Sequence, residues 1–348
     1  MSQNLINLYS DTQTKPSLEM RQAIANADVG DEQQEVDPTT NQLQNMVAEL
    51  LGKEAALFLP SGVMCNQIAV KVWTNPGEEI ILHETAHIVN FESGGAAALS
   101  GTMSQNLTGE RGMFTADQVR DALRPKGRHH PVQSLLAVEN TANLGGGAIW
   151  PVDQIQAVCD VAHESGLKTH LDGARLLNAV VASGTPASAY AAPFDSLWID
   201  LSKGLGCPVG GVLAGSRDFI NDAFRYKHMY GGAMRQSGII AAAGVYALEN
   251  NIDRMQDDHE NARHFADLLG DIPGIDVPDA NIETNMVYFD VSGTGLSAAD
   301  VSARLLDKGV KIGATSDTRL RAVTHLDVSR DHISAAATAL REVCEAAG

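Results

Sequence analysis

The chain is poor in positive charge, in cysteine and in aromatic residues. Against 43 Asp and Glu it sets only 25 Lys and Arg, for a formal net charge of −18. A nucleic-acid surface needs clustered cations to neutralise phosphates, so that class of function is excluded and solubility remains the plain role of the acidity. The four cysteines, Cys65, Cys159, Cys207 and Cys344, stand far apart and form no C-x-x-C pair. Neither a disulfide framework nor a redox pair is expected, and a reducing cytoplasm is the expected setting. No stretch approaches the ~20 apolar residues of a membrane span. The opening MSQNLINLYSDTQTK has no charged region followed by an apolar run, so export is not expected either.

What the chain does have is 348 residues, 44% of them hydrophobic, more than the ~250–300 at which a single core stops growing. Short apolar runs, AALFLP from Ala55, EEIILH from Glu78, SLLAVE from Ser134, LKTHLD from Leu167, SLWIDLS from Ser196 and GGVLAG from Gly210, alternate with segments of helical period at 40–51, 62–73, 115–123 and 152–165. That alternation predicts an α/β fold with a mainly parallel sheet flanked by helices. From about Met234 one long helical stretch is expected through Ala241 to Leu269, leading into a smaller α+β domain. The expected division is an arm at 1–25, a large domain at 26–245 and a small domain at 246–348.

Three segments carry chemistry. FDSLWIDLSKGLGCPVGG places Lys203 just past an apolar strand, in a turn of glycines and Pro208 where backbone can approach a ligand closely. HLDGAR puts Asp172 and Arg175 at the end of another strand, where parallel sheets open toward a ligand crevice. A carboxylate there can protonate a pyridine nitrogen. In LFLPSGVMCNQIAV a strand leads through Ser61 and Gly62 into a helix whose first N–H groups and dipole favour a phosphate. Together they point to pyridoxal phosphate carried on Lys203.

With these three segments and the strings SDTQTKPS at Ser10, GDEQQEVDPTTNQL at Gly30, HIVNFESGG at His87, ENTANLGGG at Glu139, GGAMRQSG at Gly231 and LRAVTHLDVS at Leu320, the chain resembles the threonine aldolase (beta-eliminating lyase) family over nearly its whole length. The resemblance implies a fold-type-I, aspartate-aminotransferase-like large domain with a seven-stranded-type sheet. It implies pyridoxal 5'-phosphate as a covalent aldimine on Lys203, Asp172 facing the pyridine nitrogen, Arg175 near the phenolate oxygen and His87 stacked on the ring. Ser61, Gly62 and Val63 would hold the phosphate, and Ser10 and Arg321, with Arg175 beside them, the substrate carboxylate. Arg235 would reach the cofactor from a neighbouring subunit of a homodimer or homotetramer. The implied reaction cleaves the Cα–Cβ bond of a β-hydroxy-L-amino acid to glycine and an aldehyde; β-elimination to ammonia and an oxo acid, and transamination, are the alternatives on the same scaffold. A non-catalytic regulator on the same scaffold would be expected to carry a nucleic-acid or partner domain, which this sequence does not suggest, so that class is not expected.

Three departures from the family pattern involve four positions. Ala142 stands where many relatives have a histidine thought to contact the substrate hydroxyl, Gln34 and Glu35 replace tyrosine and glycine, and Val63 replaces a threonine. Rival motifs are weaker. HETAH, His83 to His87, matches the zinc string H-E-x-x-H, but that site needs both histidines on one helix, and here an apolar strand leads into it; no metal is expected. GLGCPVGG is not a dinucleotide fingerprint, since proline interrupts it. His129 and His130 are read as a solvated loop, His170 and His325 as core histidines with His170 also able to brace Asp172, Cys207 as a packing residue, and Met229 to Met234 as an interface segment.

Overall fold

All six apolar runs form strands in the computed structural model, which describes residues 5–278 and 281–346. In chain order they and one further strand are β1 (Ala55–Leu59), β2 (Glu79–His83), β3 (Met103–Leu107), β4 (Gln133–Glu139), β5 (Lys168–Gly173), β6 (Ser196–Asp200) and β7 (Gly211–Gly215). They make one seven-stranded sheet in the order β1-β7-β6-β5-β4-β2-β3. Only β7 pairs antiparallel with its neighbours, so the other six strands share one direction. Runs such as SLLAVE and SLWID read as near-continuous apolar segments because helices cover both faces of the sheet. The unexpected strand, β3, is MSQNL; it lies at the sheet edge, largely exposed, and carries no apolar run to announce it.

The helices α1 (Pro38–Leu51), α2 (Gly62–Trp73) and α3 (Val152–Glu164) lie where helical period placed them. Asp37 caps α1 by accepting from Thr40 N, with Pro38 at the first helical position, and Ser61 caps α2 by accepting from Met64 N. Leu43 and Val47 of α1, Val158 of α3, and Leu171 and Leu197 of the sheet share one buried core. On the other face, Trp198 packs with Cys65, Ile68 and Phe219 under α2. Gly62 has no room for a side chain: a Cβ there would sit 2.1 Å from the Trp198 ring.

The expected long helix at Met234–Leu269 is two helices, α4 (Gly238–Asn250) and α5 (Met255–Gly270). The chain turns through Asn251–Arg254, and the Asn251 side chain donates to the Leu205 carbonyl at 2.8 Å. Asparagine there competes for backbone hydrogen bonds and favours a helix end. A second core, with Phe265, Phe289, Leu320 and Leu340, gathers around a three-stranded antiparallel sheet of Met286–Asp290, Gly313–Ala314 and Arg319–Val323. Leu8 belongs to this core, and Ile6–Asn7 pairs with Val310–Lys311, so the N-terminal segment reaches the C-terminal third of the chain.

Glu35 ends a short 3-10 turn in the left-handed region, at φ 57. That backbone favours glycine, the residue the family pattern places there. A side chain there costs roughly 1–2 kcal/mol, and glycine gives back part of the gain in chain entropy. Glu35→Gly is therefore expected to stabilise the fold by about 0.5–1 kcal/mol, read as a higher denaturant midpoint; a lower midpoint contradicts the strain.

Candidate active site

The shared strand direction collects chemistry at the carboxyl ends of the strands. Register sets Glu139 of β4 beside Asp172 of β5, and Asp172 beside Trp198 of β6. Lys203 follows β6, and Ser61 follows β1 at the start of α2. These groups line one cavity of about 190 Å³, together with Gly62, Val63, His87 and Arg175. A wider cavity of about 440 Å³ opens from it, sharing His87, Asn143, Arg175 and Lys203 and adding Tyr9, Ser10, Phe91 and Arg321. Nine of the ten expected site residues are thus together.

Each side chain is held. The Arg175 guanidinium donates from Nε to Asp11 Oδ2 and from Nη2 to Asp11 Oδ1, both at 2.7 Å. Burial alone would raise Asp11, but Arg175, with Lys203 and Asn285 behind it, holds its carboxyl well below the usual range. Ser10 caps the short turn Asp11–Gln13, accepting from Thr12 N. Arg321 donates to Asn143 Oδ1 at 2.9 Å, and Lys203 Nζ lies 3.0 Å from Asp200 Oδ2. His87 shares Nδ1 with Glu92 Oε1 at 2.8 Å. Burial would lower its pKa, but the Glu92 hydrogen bond and the charges of Asp172 and Glu92 outweigh it and raise the value.

Asp172 is 2% exposed; its Oδ2 accepts from Asn66 Nδ2 at 2.8 Å and its Oδ1 from Ala174 N at 3.1 Å. Burial lifts its carboxyl above the ordinary value, against the pull of His87, Lys203 and Asn66. Glu139 accepts the backbone N–H of His87 on one oxygen and of Asn143 on the other, each at 2.7 Å. Burial first, and the Asp172 charge second, push it up to about 7.

The donor set fits a phosphorylated pyridine. The N–H groups of Gly62 and Val63 precede the first intrahelical bond of α2, Cys65 N to Ser61 O, and border the cavity, the arrangement that binds phosphate. A deeply buried carboxylate raised by burial suits a protonated ring nitrogen, a lysine amine is within the same cavity, and Arg321 at the outer cavity suits a carboxylate. Val63 contributes no hydroxyl, so the phosphate's donors there are the backbone and Ser61.

Other expectations sort cleanly. Arg235 borders neither cavity; in one chain it is exposed and paired with Asp31 at 3.0 Å. Ala142 is buried, but its methyl packs beside Gly112 and Gly145 and lines neither cavity. HETAH does not lie on one helix: His83 ends β2 and bonds Thr85 and Gly109, while His87 opens the short helix His87–Asn90. The zinc geometry is absent there. His170 is fully buried and held down to about 3 by desolvation. Asp11, Asn66, Glu92, Glu139 and Asn143 were not foreseen from sequence. Their one sequence signal is a polar residue inside an otherwise apolar or motif-bearing string, as in GVMCNQIAV.

Known proteins are similar to this chain in sequence and fold. The Beta-eliminating lyase family model matches residues 7–292. The low specificity L-threonine aldolase of Escherichia coli K12 is 43% identical over 331 residues, covering 95% of this chain and 96% of that one. Among solved structures, the Leishmania major threonine aldolase superposes with a TM-score of 0.83 at 18% identity, over 97% of this chain and 99% of that one. A structure of SPT with PLP as its internal aldimine superposes at 0.76 and 15% identity, over 99% and 88%. The fold is that of fold-type-I pyridoxal-phosphate enzymes, and the chain belongs to the beta-eliminating lyase family of pyridoxal-phosphate-dependent lyases, in its threonine aldolase branch.

Proposed function

We propose that this chain uses pyridoxal phosphate, held covalently through Lys203 Nζ, to cleave the Cα–Cβ bond of a β-hydroxy-L-amino acid of the threonine, allo-threonine or phenylserine type to glycine and an aldehyde. The observation that carries this reading is one pair of joined cavities in which Asp172, Lys203 and the α2 N-terminus lie inside and Arg321 lies at the outer part. When bound, the cofactor supplies an electron sink that makes loss of a bond to Cα feasible.

The chain's own residues do the rest. Asp172, shielded from water, keeps its negative charge for the ring nitrogen, and a positive partner there lowers the carboxyl that burial raises. Gly62 and Val63 amides with Ser61 take the phosphate, and Arg175, its Nε and Nη2 committed to Asp11, is left with Nη1 for the cavity. Arg321, steadied by Asn143, takes the substrate carboxylate and with Ser10 decides which bond to Cα stands across the ring. Glu92 on Nδ1 leaves His87 Nε2 to receive the substrate hydroxyl proton. Ala142 brings no polar group to that step, and its methyl packs beside Gly112 and Gly145.

Arg235, exposed here, and the exposed Met229 and Ile239 nearby support a homodimer or homotetramer in which a second copy completes the site. Four buried free thiols support a cytoplasmic setting; no helix among the described residues is long and apolar enough to cross a membrane. The core around the seven-stranded sheet is taken as the cofactor-binding body, and the second core as the smaller domain that brings Arg321.

Incubated with pyridoxal phosphate and then threonine, allo-threonine or phenylserine, the protein is expected to yield glycine and the matching aldehyde. Borohydride reduction should leave the cofactor on the Lys203 peptide, and Lys203→Ala should lose both label and turnover. Ammonia and an oxo acid without glycine, or label elsewhere, overturn the reading. A second outcome concerns Glu139: in cofactor-free protein enriched with carbon-13 glutamate, its carboxyl should titrate near pH 7, assigned by loss of the signal in Glu139→Gln. A midpoint in the ordinary glutamate range contradicts its burial beside Asp172.

A further inference from the structure

Between α2 and the sheet runs a line of polar side chains where an apolar contact is the norm. Ser196 and Trp198 on β6, and His170 and Asp172 on β5, alternate onto the face that α2 covers, and Asn66 and Gln67 come down from α2 to meet them. All of these six are buried. Glu92, its side chain fully buried, closes the line.

The direction of every hydrogen bond in the line follows from its ends. Trp198 Nε1 can only donate, and it lies 2.7 Å from one oxygen-or-nitrogen position of Asn66, so that atom is Oδ1. His170 Nε2, 3.1 Å from the same oxygen, must then donate, which leaves His170 Nδ1 to accept from Ser196 Oγ at 2.9 Å. Ser196 Oγ in turn accepts from Trp73 Nε1 at 2.8 Å. A neutral His170 agrees with this, since its burial favours the uncharged ring. With Oδ1 so committed, the two Asn66 Nδ2 hydrogens go to two carboxylates, Glu92 Oε1 at 2.7 Å and Asp172 Oδ2 at 2.8 Å. Both oxygens act as acceptors, the role an ionised carboxylate fills with all its lone pairs. Glu92 Oε1 also takes the proton on His87 Nδ1, and Oε2 accepts from Gln67 Nε2 at 2.6 Å.

We propose that Asn66 and Glu92 are positioning residues for the reaction above: one side-chain amide ties the Asp172 carboxylate to Glu92, and Glu92 fixes the His87 ring with Nδ1 protonated. The two functional groups that the site depends on are set by a single connected unit rather than separately. This rests on the reading of Asp172 and His87 given under the proposed function. His87, Glu92 and Asp172 offer ligand atoms within 4.8 Å of one another, a crowding that the Asn66 amide and the His87 proton together account for. His170 acts here in both ways expected of it, as a core residue and, through Asn66, as a brace for Asp172.

The decisive variant is Glu92→Gln. Its amide oxygen can keep both Asn66 and His87, and its NH2 can meet Gln67 once that side chain turns over, because Gln67 Oε1 is without a hydrogen-bond partner. Shape survives and the charge is removed. The groups facing His87 are Glu92, Asp172, Glu139 and Lys203, and only one of them changes. In the holoenzyme the His87 ring, followed by carbon-13 NMR, should titrate lower in Glu92→Gln than in the native protein by about 1 unit or more, the size of one adjacent charge. The acid limb of the kcat/KM profile should move down in pH with it, while the melting temperature stays close to native.

Asn66→Ala should weaken pyridoxal-phosphate binding at least tenfold, read by the cofactor absorbance against added cofactor. If Asn66→Ala does not melt cooperatively, the Glu92→Gln titration decides alone. An unchanged His87 midpoint and an unchanged acid limb in a folded Glu92→Gln protein overturn the proposal, as does native cofactor affinity in a folded Asn66→Ala protein. A native protein that takes up no cofactor would instead sink the proposed function, and the His87 titration in that cofactor-free protein would still report on the Glu92 link.

Discussion

A carboxylate buried to 2% exposure in the middle of a parallel sheet is the constraint around which this molecule is arranged. Left alone, Asp172 would take up a proton rather than bear an unsolvated charge. The structure answers with donors and cations from four directions: the Ala174 amide, the Asn66 side chain, His87 and Lys203. Burial still dominates and its carboxyl remains raised, so the charge has a reason to attract one more positive group into the cavity. The polar line under α2 exists for the same reason. Ser196 and His170 fill positions that packing alone would give to valine or leucine, and they make sense as the far end of the hydrogen bonds that keep Asn66 facing Asp172.

The second constraint is that Arg321, the residue proposed to take the substrate carboxylate, comes from a strand of a different core than the one that carries Asp172. Arg321 lies on a strand of the three-stranded sheet, and its partner Asn143 follows β4 of the large sheet. The N-terminal segment joins the two. Leu8 is buried in the second core, His325 Nε2 lies 2.8 Å from the Asn7 carbonyl, and Asp11, three residues beyond Leu8, takes both the Arg175 fork and the Asn285 amide. A buried, bidentate Asp–Arg pair is geometrically specific. It ties the N-terminal segment, and with it the second core, to the Arg175 end of the cavity, and the SDTQTK string is where that link is encoded.

Much of this was legible in the sequence, for identifiable reasons. The six strands read from apolar runs announce themselves because their residues are largely buried, and α2 and α3 begin or end where Ser61, Pro151 and Gly166 say they should. Asp172 and Lys203 stood out because strand ends in such sheets are where ligands bind, and Arg321 because its string resembles a known family. The misses have physical causes too. Edge strand β3 is largely exposed, unlike the buried edge strand β1, and so carries no apolar run; α4 and α5 read as one helix across a turn marked by the Asn250–Asn251 pair. Asn66, Glu92 and Glu139 take key partners 26 to 106 positions away in the chain, so no local pattern marks them. Ala142 drew attention as a departure, yet its consequence depended on where Gly112 and Gly145 sit, which no reading of the string itself reveals.

The central claim, that Asp172 stays ionised so as to keep a bound pyridine nitrogen protonated, is tested most directly by nitrogen-15 NMR of the holoenzyme loaded with pyridoxal phosphate labelled at its ring nitrogen. The account predicts a protonated-pyridine shift that holds steady between about pH 6 and 9, well beyond the range in which an ordinary histidine or pyridine titrates, and that is lost in Asp172→Asn. An unprotonated ring nitrogen in the native enzyme, or the same shift with and without the Asp172 carboxylate, would contradict it.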